Sequence, residues 1–522
     1  MTTNGMRILL AGLLGWNGLS GFEGVGPVAG ERYRDSVELT ERWFTAPEVT
    51  FAVPGAEAGR WTTVEEAYAR LEELAAEGAR LTVREVGESL LGVPIKALFH
   101  EGGRADAATV LLQARVHGNE PATTEGLLEI AWQLAEGELR DLELNVILVP
   151  VLNPEGAREM ERRTGTDIDP NRDYVLQQSA AVRTVYRLLR DYDPEVVVDL
   201  HEHSRYPWPY DLMTIGPNNP NIPEALRAFT DEVVIGGMRE AFLEAGLRLG
   251  PYRILDFPEE GVRVRESATT FVSEKNAIAL GGRINLLTEG RGVGLGNQHY
   301  HRRTLSQYTA MRSLLETVAK HEAEVREVVA GARAAIAEGM EEWILRVEPV
   351  KKKAQHDLLS AETQDVETVS TTYWDRTGGT VAAKLAVPEA YVIDASEAAL
   401  MDRLLRFGLE AERVSEATEM TVDILTVEHF NAGRGQLYGG RMKRADGTLE
   451  RLPVRRNHDI TVRTRGERRE IPAGSWIIRT AQPKALYLIA LEPESYSGFA
   501  ASSYWGETLP EGFEFPVYRL RR

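Results

Sequence analysis

The chain has 522 residues, of which 43% are hydrophobic and 27% are charged, a composition ordinary for a globular protein. The length exceeds that of one ordinary domain, so we expect two domains. A formal charge of −19 disfavours partners that reward an excess of Lys and Arg, namely nucleic acids and anionic membrane surfaces. There is no cysteine, which excludes disulfides and cysteine nucleophiles and leaves His, Asp and Glu as the possible metal ligands.

The first 60 residues predict a leader rather than part of a packed unit. Residues 6–14 combine one Arg with a short apolar run, a weak signal-peptide pattern, and residues 15–60 are rich in Gly and Pro. We therefore expect an extracytoplasmic protein, periplasmic or secreted, with a cytoplasmic protein as the alternative. No later segment has 18 uninterrupted apolar residues, so no membrane span is expected.

From residue 61 onward, predicted strands and helices alternate, which favours an α/β sheet. Strands are predicted at residues 81–86, 95–99, 109–114, 144–151, 195–200 and 284–288. Helices are predicted at residues 63–74, 123–134 and 179–190, and a helical pattern continues through residues 305–343. Residues 153–156 have the Asn-Pro and Gly content of a loop. We place this unit at residues 61–348 and a smaller β-rich C-terminal domain at residues 349–522.

Three predicted strands end in residues that can bind a metal or move a proton. His117 and Glu120 follow the strand at 109–114, His201 ends the strand at 195–200, and Glu289 follows the strand at 284–288. Parallel strands deliver their carboxyl ends to one edge of a sheet, where α/β proteins bind their ligands. A second His-x-x-Glu pair, His321 and Glu324, lies in a charged helical stretch and is best explained as a solvated helix face.

These residue types suit a catalytic zinc site. His117, Glu120 and His201 offer two nitrogens and one carboxylate, a set that leaves a fourth position for water. Glu289 is a candidate acceptor of the water proton. Two arginines complete the pattern: Arg172, beside Asn171, has the planar fork that grips a carboxylate, and Arg162 is suited to hold a developing oxyanion.

Over residues 62–325 the sequence resembles the zinc metallocarboxypeptidases of the carboxypeptidase A type. The pieces that carry the resemblance, in family order, are His117-Gly118-Asn119-Glu120, Asn153-Pro154-Glu155-Gly156, Arg162, Asp169-Pro170-Asn171-Arg172, Asp199-Leu200-His201 and Glu289. The resemblance implies a mixed eight-stranded sheet flanked by helices.

The resemblance also implies an activity and a role for each residue. His117, Glu120 and His201 would bind one Zn²⁺ per chain, Glu289 would be the general base and Arg162 would polarise the scissile carbonyl. Asn171 and Arg172 would hold the terminal carboxylate of a peptide or protein substrate. The family also carries a substrate-capping tyrosine shortly before the catalytic glutamate, and no Tyr occurs between Tyr252 and Glu289.

Two other functions remain open on this sequence. A zinc amidase of the aspartoacylase or succinylglutamate deacylase type shares the metal motif, although the separate Arg162 and the Asn171-Arg172 pair favour the peptidase. A catalytically silent peptide-binding protein would explain the missing tyrosine but not the retention of Glu289. The oligomeric state is not predicted.

Overall fold

The computed structural model describes residues 31–32, 34–57, 59–204, 207–259, 261–432, 441–443, 449–451 and 458–521. The predicted signal-like segment, residues 6–14, lies outside these residues. Within them the predicted fold class is confirmed: an eight-stranded mixed sheet is flanked by helices, and a further β-rich sheet is formed by C-terminal strands.

The strands, in chain order, are β1 Leu81–Glu88, β2 Pro94–His100, β3 Thr109–Ala114, β4 Asn145–Val149, β5 Val196–Ser204, β6 Leu212–Ile215, β7 Leu249–Pro251, β8 Ile254–Asp256, β9 Arg263–Arg265, β10 Ile284–Val293, β11 Glu342–Leu359, β12 Val366–Ala386, β13 Ala390–Ile393, β14 Glu412–Arg413, β15 Thr418–Asn431, β16 Arg441–Lys443, β17 Leu449–Arg451, β18 Asp459–Ile471, β19 Trp476–Arg479 and β20 Val517–Leu520. The large sheet has the order β1-β2-β4-β3-β5-β10-β6-β7. Its four central strands β4, β3, β5 and β10 are parallel, and the apolar residues of these strands are buried on both faces.

The α-helices, in chain order, are α1 Val37–Trp43, α2 Val64–Glu77, α3 Ala122–Ala135, α4 Pro154–Glu159, α5 Ala180–Tyr192, α6 Glu224–Phe229, α7 Ile235–Glu244, α8 Glu274–Ala279, α9 Tyr300–Lys320, α10 Glu322–Glu338 and α11 Ala398–Arg406. Helix α2 begins with a capping box in which Thr63 and Glu66 each accept a hydrogen bond from the other's backbone N–H. Such local signals place the helix ends close to where the sequence predicts them.

Two predicted elements differ in the structure. Residues 153–156 are not a loop: the Asn153 side chain accepts a hydrogen bond from the Gly156 N–H and caps the short helix α4, whose first residue is Pro154. The helical pattern at 305–343 is interrupted at His321 and ends at Glu338, and Trp343 lies in strand β11. Gly339 follows the last helix with φ of 93°, a conformation that stops a helix and that glycine adopts without strain.

The C-terminal strands pack against the rest of the molecule through one continuous core. A four-stranded sheet, β11-β12-β9-β8, pairs strands from both sides of the predicted boundary, and a six-stranded sheet, β14-β19-β13-β20-β15-β18, follows. The Trp343 ring stacks on Tyr391 with centroids 6.3 Å apart, and both belong to the main hydrophobic cluster. Strand β11 runs through the predicted boundary at residues 348 and 349, and the domain division stays a prediction.

Candidate metal centre

The carboxyl ends of β3, β5 and β10 meet at one edge of the large sheet. Strand β5 lies between the other two, and its His201 pairs in register with Glu289 of β10. His117 and Glu120 follow β3 in the turn before helix α3. The topology therefore brings together the four polar residues that the sequence places at strand ends.

The three predicted metal ligands form one buried cluster. One ligand atom from each of His117, Glu120 and His201 lies within 4.8 Å of the others, and each residue is at most 2% exposed. Glu120 Oε1 is 2.7 Å from His117 Nδ1, and Glu120 Oε2 is 2.7 Å from His201 Nδ1. Although burial opposes ionisation, the two imidazoles hold the pKa of Glu120 below its usual range.

Two further carboxylates set the orientation of the imidazoles. His117 Nε2 lies 3.2 Å from Asp169 Oδ1, and His201 Nε2 lies 2.6 Å from Asp199 Oδ2. Protons on the Nε2 atoms would be donated to these carboxylates, leaving both Nδ1 lone pairs directed at Glu120. Lone pairs that converge on one point suit a cation, so the donor set fits a zinc ion bound by two nitrogens and one carboxylate.

The ion pair of His201 is strong enough to change its titration. Burial opposes the charged form, but Asp199 and Glu120 outweigh this and raise the pKa of His201 well above its ordinary value. The imidazole is thus held by acidic partners on both ring nitrogens. The two carboxylates thus favour a positive charge at this position, and a metal ion bound at Nδ1 would take the place of the proton.

Arg162 reaches the cluster from the segment after α4. Its Nε donates to Asp169 Oδ2 at 3.1 Å, and an amino nitrogen lies 3.1 Å from His117 Nδ1. Its side chain is 42% exposed, so one side of the guanidinium faces outward. The structure thus places Arg162 beside the ligands with a donor face open to a bound molecule.

Asn171 and Arg172 lie on a 3₁₀ turn, Pro170–Arg172, that Asp169 caps. Asn171 is buried: its Nδ2 lies 2.9 Å from His201 Nε2, and its Oδ1 accepts a hydrogen bond from the Glu274 N–H. Arg172 donates to the Asn171 carbonyl at 2.6 Å and is only partly buried. Arg172 is therefore the more accessible of the two predicted carboxylate-binding residues.

Glu289 lies beside the metal-ligand cluster and binds a proton more tightly than an exposed glutamate does. Burial raises the pKa of Glu289 to about 7; His201 opposes this rise and the Glu120 carboxylate adds to it. A carboxylate with a pKa near neutrality is well matched to accept and return a proton.

Tyr252 is a site residue that the sequence analysis missed. It directly follows β7, its N–H donates to the Thr214 carbonyl at 2.9 Å, and its hydroxyl donates to the Glu289 carboxylate. The family resemblance places a tyrosine shortly before Glu289, whereas strands β8 and β9 lie between Tyr252 and Glu289 in this chain. The motif spacing carried no signal that could have found it.

Glu274 is a second missed residue near the site. It begins helix α8, is fully buried, and receives a hydrogen bond from Asn285 Nδ2 at 3.0 Å. Burial, together with the Asp199 carboxylate, raises its pKa well above the ordinary value. Its carboxyl group therefore favours the protonated form more than an exposed glutamate does.

Comparisons with known proteins show which proteins this chain is similar to. Residues 67–183 match the family described as zinc carboxypeptidase. Carboxypeptidase 2 of Trichophyton tonsurans is 26% identical over 426 residues, which cover 79% of this chain and 76% of the relative. A probable carboxypeptidase 2 of Arthroderma benhamiae is 25% identical over 398 residues, 73% of each chain.

Solved structures of similar proteins include two bacterial metallo-carboxypeptidases. The protein from Burkholderia cenocepacia is 17% identical, with a TM-score of 0.40 over 50% of this chain and 70% of its own. The one from Pseudomonas aeruginosa is 20% identical, with a TM-score of 0.39 over 51% and 70%. The family match and the Trichophyton relative confirm the predicted resemblance to zinc metallocarboxypeptidases.

Proposed function

We propose that this chain, a metallocarboxypeptidase by its zinc carboxypeptidase match over residues 67–183, removes the C-terminal residue from peptides and proteins. The observation that carries the proposal is the buried convergence of His117, Glu120 and His201 beside Glu289. Three ligands and a separate carboxylate are what hydrolysis by a metal-activated water requires.

The proposed cofactor is one Zn²⁺ per chain, held by His117 Nδ1, His201 Nδ1 and Glu120. When bound, zinc would act as a Lewis acid and lower the pKa of a water molecule toward neutrality. Asp169 and Asp199 would keep the two Nδ1 atoms unprotonated and aimed at the ion.

The other predicted site residues would transfer the proton, stabilise the developing charge and bind the substrate. Glu289 would take a proton from the attacking water and pass it to the leaving amine. Arg162 would donate hydrogen bonds to the carbonyl oxygen as negative charge develops there. Arg172 would grip the terminal carboxylate of the substrate, with Asn171 fixing the turn that carries it.

Tyr252 would take the part of the substrate-capping tyrosine that the family resemblance places nearer to Glu289. Its hydroxyl already donates to Glu289, so it lies at the reacting centre. A substrate that displaces this hydrogen bond would receive the hydroxyl as a donor of its own. No observation favours the amidase or the silent binding protein over the peptidase.

Peptide C-termini are the proposed substrate, and extracytoplasmic placement stays a prediction. None of the helices in the described part of the chain is long and apolar enough to cross a membrane.

The test of this function compares a peptide that has a free C-terminal carboxylate with the same peptide as its amide. We expect release of the last residue from the free acid alone, because Arg172 recognises a carboxylate. The Arg172→Ala variant should raise KM for the free acid by about tenfold or more, and Arg163→Ala, a partly exposed arginine paired with Asp167, is the control. Hydrolysis of N-acyl amino acids but of neither peptide would establish the amidase instead.

A further inference from the structure

Arg115 occupies an unusual position between strand β3 and the first metal ligand. It is 2% exposed, and its backbone has φ of 53°, the left-handed region in which a side chain is disfavoured. Helix α3 supports this turn, because Thr123 Oγ1 accepts a hydrogen bond from the Arg115 N–H at 3.1 Å. A strained residue in the turn before His117 suggests that its side chain has a task there.

The guanidinium of Arg115 is surrounded by backbone carbonyls. It donates to the carbonyls of Gly118 at 3.0 Å, Thr62 at 3.3 Å and Ala157 at 3.3 Å, and it contacts the Met160 sulfur at 3.2 Å. Within the described residues, no carboxylate lies within ion-pair distance of it. A fully buried cation with such partners fixes the relative position of three chain segments, since each carbonyl depends on the same rigid fork.

Two of these segments carry residues of the site. Gly118 lies between His117 and Glu120, and Ala157 and Met160 lie in the segment that leads into Arg162. The two backbones touch: a Cβ atom on Gly118 would lie 1.9 Å from the Gly156 carbonyl carbon. The Arg115 guanidinium joins them at this crossing.

The third segment, which contains Thr62, is hydrogen-bonded to a buried carboxylate. Thr62 donates its N–H and its hydroxyl to the buried Glu125 carboxylate at 2.6 and 2.9 Å. Tyr300 donates to the same carboxylate at 3.1 Å. Bonds other than the one to Arg115 thus hold the Thr62 backbone in place.

We propose that Arg115 is a positioning residue that holds the His117–Glu120 turn in register with the segment bearing Arg162. This inference rests on the proposed zinc hydrolase function. It adds a residue that touches neither zinc nor substrate but sets the distance between the ligands and the oxyanion donor.

The test measures zinc release into a chromogenic chelator, together with kcat and KM. Arg115→Gly removes the guanidinium while glycine adopts the left-handed backbone freely, so backbone strain does not confuse the result. We expect zinc release to be about tenfold to a hundredfold faster and kcat to fall by a similar factor, with a smaller change in KM. Arg115→Lys keeps the charge without the fork and should lie between wild type and glycine.

Arg283 provides the matched control. It is 1% exposed, donates to the Leu189 carbonyl at 3.2 Å and pairs with Asp193, but it precedes β10 at the edge of the sheet opposite the metal centre. Arg283→Lys should lower the melting temperature without changing zinc release.

Wild-type zinc release in folded Arg115→Gly, or equal acceleration in Arg283→Lys, would overturn the inference. If the glycine variant does not fold, wild-type release and kcat in Arg115→Lys would do so. A wild-type protein without zinc or peptidase activity would instead refute the proposed function.

Discussion

A carboxylate beside each histidine fixes the orientation of its imidazole ring at the metal centre. Asp199 precedes His201 by two residues on β5, so both side chains lie on one face of the strand and meet at 2.6 Å. Asp169 reaches His117 from a distant turn and also holds Arg162. One carboxylate thus couples a ligand to the proposed oxyanion donor.

Glu289 should be required for turnover but not for zinc binding. In Glu289→Gln the neutral amide cannot accept the proton of water, so we expect kcat to fall by about 10² to 10⁴-fold. Metal analysis should still find zinc, because Glu289 is outside the ligand cluster. Glu324→Gln, in the exposed second His-x-x-Glu pair, is the control and should change neither property.

At the scale of elements, helix α3 joins the metal turn to the N-terminal part of the chain. Its residue Glu125 is fully buried, and burial raises the pKa of this carboxyl to about 7, although Thr62 and Tyr300 donate hydrogen bonds to it. The residue before the N-cap of α2 and the first residue of α9 are therefore both bonded to one titrating group in the first turn of α3.

Stability should fall as the pH rises from about 4.5 to about 7 because of Glu125. The folded state keeps the proton up to a higher pH than the unfolded chain does, so unfolding releases it in this window. The loss reaches at most about 3 kcal/mol. Urea titrations at pH 5 and pH 8 should show a smaller pH effect in Glu125→Gln than in wild type, and equal effects would contradict this account.

The sequence predicts those parts of the site that lie on or beside regular elements. The apolar runs of β3, β5 and β10 identify the strands, and the polar residues that follow these runs identify His117, His201 and Glu289, although β5 and β10 continue beyond the runs to Ser204 and Val293. The role of Tyr252 depends on the segment after it, which folds back as β8 and β9 and pairs with β12 through β9. The role of Arg115 depends on carbonyls at residues 62, 118 and 157, and backbone carbonyls leave no trace in a sequence pattern.

Two elements differ from the sequence prediction for local reasons. Asn-Pro at residues 153 and 154 is typical of a turn, yet the same pair caps and opens a helix when the following residues can continue it. Trp343 fits a helical apolar pattern and also a strand that buries alternate residues, and packing against Tyr391 decides between them.

At the scale of the whole molecule, aromatic side chains pack the C-terminal region against helix α5, which flanks the large sheet. The Phe407 ring stacks on Tyr487 at 4.4 Å between centroids and meets the edge of Tyr186 on α5 at 5.1 Å. All three belong to the main hydrophobic cluster. A core shared in this way predicts that the two regions unfold together.

Truncation of Phe407 tests the shared core. Phe407→Ala should destabilise the protein by about 3–5 kcal/mol, because it opens a cavity between α5, α11 and the 3₁₀ helix Ala485–Leu491. Calorimetry should show one transition that shifts to lower temperature as a unit. Two transitions, with only one shifted, would show that the regions unfold independently.

The central claim, a zinc carboxypeptidase built on His117, Glu120 and His201, is tested most directly by metal content and product release in one sample. Purified protein should contain close to one zinc per chain and release C-terminal residues from a mixed peptide library until a chelator stops it. His117→Ala should lose both properties, whereas His321→Ala should keep them. A folded wild-type protein that contains no zinc, or whose peptide hydrolysis survives removal of the metal, would contradict the account.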